Sequence, residues 1–228
     1  TKLIAMLNAL NDYSVPMSDI LGKYFDTENL AYWMAFQLLT GNTDTQSRNM
    51  YLYSPTNSDT FYVLDWDNDG MLMRKEYEIK QRSDGKSWEN GISNYWGNML
   101  FSRCLQTKSF RTALDKAIQD EYKYMNANRI NSMVKHYRSI TEQYVWKMPD
   151  SMYEGVTKSQ YDVIANQLHS EIEQNYQTYQ TGFNKPMPFY IGTPTPTNGK
   201  LKLSWDVSYD FNDEDLRYTV TVIEVVKG

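Results

Sequence analysis

The chain has 228 residues, a net charge of −5, and 41% hydrophobic residues, enough to build a packed globular core. Its basic residues are scattered rather than clustered, so we expect no nucleic-acid partner. No apolar run reaches the length that spans a bilayer, and the lone Cys104 excludes an internal disulfide. The chain opens on Thr1 without an initiator Met or a signal segment, so we expect a piece of a longer protein.

The N-terminal part is predicted to be helical. A short helix ends before Pro16, and a clearer one begins near Thr27 with Asp26 as its N-cap. Apolar and long side chains recur on one face of this second helix at Leu30, Trp33, Met34, Gln37 and Leu38. Gly41 can adopt the left-handed conformation that ends a helix. Asp44 is therefore predicted to lie on a loop between a helix and a strand, where reactive side chains are often displayed.

Two acidic clusters follow, joined by a predicted β-hairpin. The first cluster has Asp44 five positions before Asn49, and the second has Asp65, Asp67 and Asp69 at alternate positions. Between the clusters, two short apolar segments flank a turn-forming stretch over residues 54–59. Carboxylates gathered in this way repel one another unless a divalent cation neutralises them. The pattern therefore predicts an oxygen-ligand metal site.

The remaining chain changes character twice. Residues 74–94 are polar with little apolar periodicity, and we predict a long mobile loop there. Residues 94–182 have helical periodicity throughout, with apolar stripes expected in the core. A proline-rich linker then precedes alternating segments at Leu201–Trp205 and Tyr218–Ile223, which predict strands. The predicted fold class is α+β and mainly α-helical, with one domain over 1–182 and a linker plus the start of an immunoglobulin-like or fibronectin-like module over 183–228.

One chemical interpretation of the second cluster is a calcium loop. Asp65, Asp67 and Asp69 with Glu76 satisfy the pattern D-x-D-x-D-G-x5-E, and Leu72 occupies its usual apolar position. However, the segment that enters this loop is strand-like rather than helical, and no second loop exists to pair with it. Calcium binding by these four carboxylates is retained as an alternative.

The other interpretation uses both clusters for phosphoryl transfer. Such a reaction needs a carboxylate that accepts the proton of an attacking hydroxyl, with an asparagine and an aspartate that hold the metal on the phosphates. Kinases place the first two residues five positions apart and the metal aspartate on the next hairpin. Asp44, Asn49 and Asp67 follow this order and reproduce the first spacing.

A longer set of residues resembles the signature of the CotH (spore coat protein H) kinase family. It consists of Gly41-Asn42 then Asp44, Arg48-Asn49 then Leu52-Tyr53, Phe61-Tyr62, and Trp66-Asp67 then Asp69. The resemblance extends less sharply over the helices as far as Gly182. It implies a protein-kinase-like C-terminal lobe that uses ATP and Mg²⁺, or alternatively Mn²⁺ or Ca²⁺, to phosphorylate Ser or Thr of a protein substrate.

Residue roles follow from this resemblance. It implies that Asp44 is the catalytic aspartate, Asn49 and Asp67 are metal ligands, and Asp69 is a possible second metal ligand. The family commonly has proline where Asp65 stands, so this carboxylate either shifts metal preference towards calcium or faces solvent. The nucleotide-pairing lysine and phosphate-covering loop are expected upstream of Thr1, so this fragment alone is expected to bind ATP weakly.

The resemblance also implies an extracellular, cell-surface or spore-coat location in a bacterium. Two other interpretations remain: a non-catalytic, calcium-stabilised cell-surface interaction module, and a pseudokinase that scaffolds partners. Among the neighbouring motif residues, Trp66 is expected in the core, and Arg48 is expected to pair with Asp44 or Asp67 or to be solvated.

Overall fold

The computed structural model describes residues 1–82, 90–153 and 155–221. The chain divides into two units, Thr1–Gly182 and Phe183–Gly228. The fold class is α+β and mainly helical, as the sequence predicts. Within the described ranges, no helix has the length and apolar character needed to cross a membrane.

The first unit is built from helices and one hairpin. Three helices precede the acidic stretch, namely α1 (Lys2–Asn11), α2 (Met17–Tyr24) and α3 (Thr27–Thr40). The hairpin strands are β1 (Met50–Tyr53) and β2 (Tyr62–Asp65). Within the described ranges, the following α-helices come next: α4 (Arg74–Ile79), α5 (Ile92–Tyr95), α6 (Met99–Gln106), α7 (Lys108–Tyr124), α8 (Ala127–Val145) and α9 (Lys158–Gly182).

Helix α3 lies at the centre of this unit, packed against α7 and α9. Its N-terminus is capped by Asp26, whose Oδ1 accepts a 2.9 Å hydrogen bond from the backbone N–H of Asn29. Its C-terminus ends at Gly41, which adopts the left-handed conformation with φ of 65°. Both ends are as the sequence predicts. Nine of its fourteen residues are buried, as expected for a helix that lies largely inside a domain.

An aromatic cluster fixes α3 against α5 and α6. The rings of Trp33 and Phe101 stack with centroids 5.6 Å apart, and Tyr95 meets Phe101 edge-on at 5.2 Å. The hydroxyl of Tyr95 donates to the carbonyl of Asn42 at 3.1 Å and lies 2.8 Å from the hydroxyl of Thr45. The same aromatic side chain therefore ties the core to the loop that follows α3.

The β-hairpin forms where the sequence predicts it. Its antiparallel register runs from Met50 opposite Asp65 to Tyr53 opposite Tyr62. Asn29 of α3 joins the hairpin to the helix: its side chain accepts from the N–H of Val63 at 2.7 Å and donates to the Val63 carbonyl at 3.2 Å. The exposed edge of β2 is thus satisfied by a helix side chain, which fixes the position of the hairpin.

Two expectations for the helical region were wrong. The segment 74–94 was expected to be a loop, yet it contains α4 and the start of α5; its residues 83–89 are outside the described ranges. The apolar stripe of α8 was expected in the core, yet none of its residues is buried, and Tyr137 and Ile140 are exposed. Cys104 is fully buried, and its burial raises the pKa of the thiol.

The second unit contains a short hairpin of β3 (Thr195–Thr197) and β4 (Lys200–Lys202). Asn198 and Gly199 have positive φ angles, which suit the tight turn that joins these strands. The strand predicted over Leu201–Trp205 is only partly formed, since β4 ends at Lys202. The strand predicted over Tyr218–Ile223 is absent from its described residues 218–221, and residues 222–223 lie outside the described ranges.

An open, mostly apolar groove of about 620 Å³ lies in the first unit. We call it the α8–α9 groove; its walls come from α3, α7, α8 and α9 and from Met71 and Leu72. Glu121 of α7 is an acidic residue in this wall, and its Oε2 is buried with no hydrogen-bond partner among the described residues. Burial, and then repulsion from Asp65, raise the pKa of Glu121 to about 8.

This shift predicts a pH dependence of stability. The unfolded chain releases the Glu121 proton near its ordinary pKa of 4.5, whereas the folded chain retains it to about 8. The native state therefore binds more protons between these values, and the free energy of unfolding falls as pH rises through this window. Glu121→Gln removes this cost, so we expect it to stabilise the protein at pH 8 relative to pH 5.

The stabilisation by Glu121→Gln should be about 1–3 kcal/mol larger at pH 8 than at pH 5. Partial hydration of the carboxyl group reduces this difference below the full value of about 1.4 kcal/mol per pKa unit. Urea unfolding at both pH values measures it. Glu173→Gln, at an exposed position of α9, is the matched control and should show no such difference. An equal pH dependence in the wild type and Glu121→Gln would contradict the prediction.

Candidate active site at the end of helix α3

Two buried amide side chains at the end of α3 organise the site. Gln37 donates from Nε2 to Asp65 Oδ1 at 2.8 Å and to Asn68 Oδ1 at 3.3 Å. Asn42 donates from Nδ2 to the same Asn68 oxygen at 3.3 Å. Both amides are 1% exposed. Together they hold the turn that leaves β2 against the loop that leaves α3.

The site role of these amides was missed in the sequence. Gln37 was assigned to the packed face of α3, and Asn42 was noted only as part of the family motif. The available signal was an amide on an otherwise apolar helix face, because a buried amide must find hydrogen-bond partners. The sequence does not show which partners these are.

The first acidic cluster forms as a hydrogen-bonded unit. Asn49 donates from Nδ2 to Asp44 Oδ2 at 2.8 Å, and Arg48 forms an ion pair with Asp44 Oδ1. The backbone N–H of Asp44 donates to Asn42 Oδ1 at 3.3 Å. Because Asn49 uses its Nδ2 on Asp44, its Oδ1 is left for a cation. The Asp44 side chain is 34% exposed, so a substrate hydroxyl can reach it.

The second cluster is brought to the first by the hairpin register. Met50 pairs with Asp65, so the next residues along each strand, Asn49 and Trp66, lie at the open end of the hairpin, with Asp67 one residue beyond. A Cβ atom added at Gly70 would lie 3.0 Å from Asn42 Oδ1 and 3.7 Å from Asp44 Cβ. The turn that contains the second cluster therefore packs directly on the Asp44 loop.

This turn has an unusual backbone. A 3-10 helix covers Asn68–Gly70, and the residues flanking it include two non-glycine residues with positive φ, Asp67 at 54° and Leu72 at 55°. The backbone N–H of Leu72 donates to the Thr40 carbonyl at 2.8 Å, which anchors the exit of the turn to the last turn of α3. Left-handed conformations of this kind persist where surrounding contacts enforce them, and they concentrate at functional sites.

The carboxylates differ in their surroundings. Asp65, Asp67 and Asp69 are all exposed, and Asp65 also accepts a hydrogen bond from Gln37. Partial burial raises the pKa of Asp65, and the Gln37 hydrogen bond opposes this shift. Glu76 lies in α4 and pairs with Lys80. Asp65 is therefore exposed but has a partner in Gln37.

The donor set suits a shared cation rather than a protein cage. Among residues 1–82, 90–153 and 155–221, no three Asp, Glu, His or Cys side chains are grouped closely enough to hold a metal. The four carboxylates of the calcium alternative are therefore not assembled. Mg²⁺ commonly uses only one or two carboxylates, with water and substrate phosphates completing its shell. Asn49, Asp67 and Asp69 carry oxygen donors of the kind that such an ion takes.

Two other motif residues can now be placed. The expectation that Trp66 lies in the core was wrong: it is 54% exposed and meets Tyr51 edge-on at 5.1 Å. It directly follows β2, beyond the strand residues that face α3. For Arg48, the structure selects pairing with Asp44 among the three options that the sequence left open.

A clamp from α9 holds the segment after the turn. Glu171 is 2% exposed, and its two carboxylate oxygens accept from the backbone N–H groups of Arg74 at 3.1 Å and Lys75 at 2.8 Å. Asn175, one turn further along α9, donates to the Leu39 carbonyl at 3.0 Å and accepts from the Arg74 guanidinium at 3.2 Å. Helix α9 thus fixes both the end of α3 and the start of α4.

Comparison with known proteins gives one match. A family model described as CotH kinase protein matches residues 1–179, which include all of the candidate site residues above. No curated protein and no solved structure matches the chain.

The clamp predicts a specific loss of stability. Glu171→Ala leaves two N–H groups at the start of α4 without their acceptor, and each unsatisfied buried group is costly. We expect the free energy of unfolding to fall by about 1–3 kcal/mol, measured by urea titration. Glu173→Ala on the exposed side of α9 should change it by less than about 0.5 kcal/mol. Equal effects of the two substitutions would remove the clamp assignment.

Proposed function

The chain belongs to the CotH kinase family, and from that premise we propose that it takes part in ATP- and metal-dependent phosphoryl transfer to Ser or Thr of protein substrates. The observation that carries this proposal is the meeting of the two acidic clusters. Asp44 and Asn49 are joined by a hydrogen bond, and the turn containing Asp67 packs on the Asp44 loop. This is the set of groups that phosphoryl transfer requires.

Asp44 is proposed as the residue that accepts the substrate proton. The substrate hydroxyl oxygen attacks the γ-phosphorus of ATP, the bond from that phosphorus to the β–γ bridging oxygen breaks, and ADP leaves. The hydroxyl proton passes to a carboxylate oxygen of Asp44. Asn49 and Arg48 fix the orientation of that carboxylate before substrate binds.

Asn49 and Asp67 are proposed to hold the divalent cation, with Asp69 as a further ligand. A divalent cation held by these residues would supply positive charge to neutralise the charge that develops on the phosphates. The contribution of the chain is to hold these side chains in place. Gln37 and Asn42 fix the turn from one side, and the Leu72 to Thr40 hydrogen bond fixes it from the other.

We also propose Mg²⁺ as the natural cation, with Mn²⁺ or Ca²⁺ as alternatives, and an extracellular, cell-surface or spore-coat location. Mg²⁺ is supported by the small number of protein ligands, because Ca²⁺ takes six to eight oxygens and would need more of them from the chain. The location rests on family resemblance alone.

The kinase assignment is tested by three matched Asp→Asn substitutions in the longer parent protein expected from the sequence, because the 228-residue chain alone is expected to bind ATP weakly. We expect Asp44→Asn to lower phosphate incorporation from labelled MgATP by about a hundredfold or more, because the proton acceptor is lost. Asp67→Asn should lower it similarly through loss of the cation ligand. Asp59→Asn, at an exposed position of the hairpin turn, should leave it unchanged.

Calorimetry with Mg²⁺ and a non-hydrolysable ATP analogue separates the two roles. Asp44→Asn should retain nucleotide affinity, whereas Asp67→Asn should lose its Mg²⁺ dependence. Full incorporation by Asp44→Asn would refute its role as proton acceptor. Nucleotide binding without incorporation in the wild type would instead support the pseudokinase interpretation.

A further inference from the structure

The α8–α9 groove is separate from the acidic clusters and is not used by the proposed reaction. We propose that it is a binding site for a small apolar amine, meaning an alkyl or aryl body that carries an N–H group. Its volume of about 620 Å³ falls within the range typical of small-molecule sites, about 300–1,000 Å³. The argument rests on the apolar walls and on one polar atom that the protein leaves without a partner.

The walls of the groove provide the contact for an apolar body. Helix α8 contributes Ile130 and Val134, helix α9 contributes Ile164 and Leu168, and α3 contributes Phe36. The sequence pattern of α8 predicts burial for its stripe, yet the structure leaves it lining this open space. Covering such a stripe with an apolar molecule removes it from water and is favourable.

The polar end of the groove selects for a hydrogen-bond donor. Glu121 Oε2 is buried and unpaired among the described residues, and such an oxygen is costly until a donor reaches it. The two cationic groups of the lining have partners: Arg138 pairs with Glu142 and Asp162, and Arg129 lies over the Tyr124 ring at 3.8 Å. Glu121 is therefore the group that a ligand completes, and an N–H donor is complementary to it.

The groove adjoins the proposed reaction site without overlapping it. Met71 and Leu72, which line the groove, directly follow the turn that contains Asp67 and Asp69. None of the proposed catalytic and metal-ligating residues lines the groove, so the binding test does not depend on phosphoryl transfer.

Fluorescence titration of the 228-residue chain with N-phenyl-naphthylamine tests the proposal. This probe is apolar, carries one N–H group and becomes brighter when it leaves water. We expect saturable one-to-one binding. At pH 9, where Glu121 is ionised, decylammonium should displace the probe at a concentration about tenfold lower than decanoate, because only the amine donates to Glu121. Glu121→Gln should remove most of that tenfold preference.

Two tryptophan substitutions on α8 provide the matched control. Val134→Trp fills the groove and should abolish probe binding, whereas Ser132→Trp is two residues away, does not line the groove, and should preserve it. If Val134→Trp lowers the melting temperature, Thr141→Trp at the exposed rim provides a milder obstruction.

Three outcomes would overturn the proposal: no saturable probe binding, equal binding by Val134→Trp and Ser132→Trp, or equal displacement by decanoate and decylammonium. Analytical ultracentrifugation of the same samples tests whether a second copy of the chain occupies the groove instead. If the probe does not bind and Val134→Trp disrupts a concentration-dependent dimer, the groove is an interface with a second copy. Loss of kinase activity in other variants bears on none of these outcomes.

Discussion

The way in which helix α3 ends determines where every candidate site residue lies. Most of the helix is buried, so the core fixes its axis. Its last turn contains Gln37, and Asn42 follows directly after the Gly41 cap. A buried amide without partners costs about 1–3 kcal/mol. The turn with Asn68 accepts from Nε2 of Gln37 and Nδ2 of Asn42, and the Asp44 N–H donates to Asn42 Oδ1, whereas Gln37 Oε1 has no partner among the described residues. The demand for buried hydrogen bonds therefore brings the two acidic clusters together.

The two side chains that position the turn, Gln37 and Asn42, are neutral amides rather than charged groups, and this affects the charge of the site. Gln37 and Asn42 hold Asp65 and Asn68 in place without adding positive charge beside the exposed Asp67 and Asp69. A lysine in the same position would compete with a cation for those carboxylates. The amides thus position the turn but do not neutralise its negative charge. In the proposed function, a metal ion would neutralise that charge. Asp65, where the family commonly has proline, joins the positioning network instead.

Much of this arrangement follows from local patterns. The N-cap Asp26, the terminating Gly41 and the alternating hairpin segments each have a local signal, so α3 and the β1–β2 hairpin could be predicted. Helix α4 could not be, because its start depends on Glu171, which is 96 residues further along the chain than Lys75. Local periodicity does not include such long-range contacts.

The same limit explains why burial was wrongly predicted for Trp66 and for the apolar stripe of α8. Trp66 was expected in the core from its residue type, but the end of β2 leaves it exposed against Tyr51. The stripe of α8 has helical periodicity, which correctly predicts the helix but does not show what covers it. Burial depends on whether a neighbouring element reaches that face, and the α8–α9 groove shows that none does so fully among the described residues.

The geometry of the second acidic cluster depends on contacts made on both sides of it. Asp67 and Leu72 adopt left-handed conformations that cost about 1–3 kcal/mol each for non-glycine residues. The amides of α3 hold the turn before Gly70, and the Thr40 carbonyl and the Glu171 clamp hold the chain after it. Sequence spacing can name Asp67 as a ligand candidate. Its direction, however, is set by packing between α3 and α9, so changes in those helices should reach the site without altering any ligand.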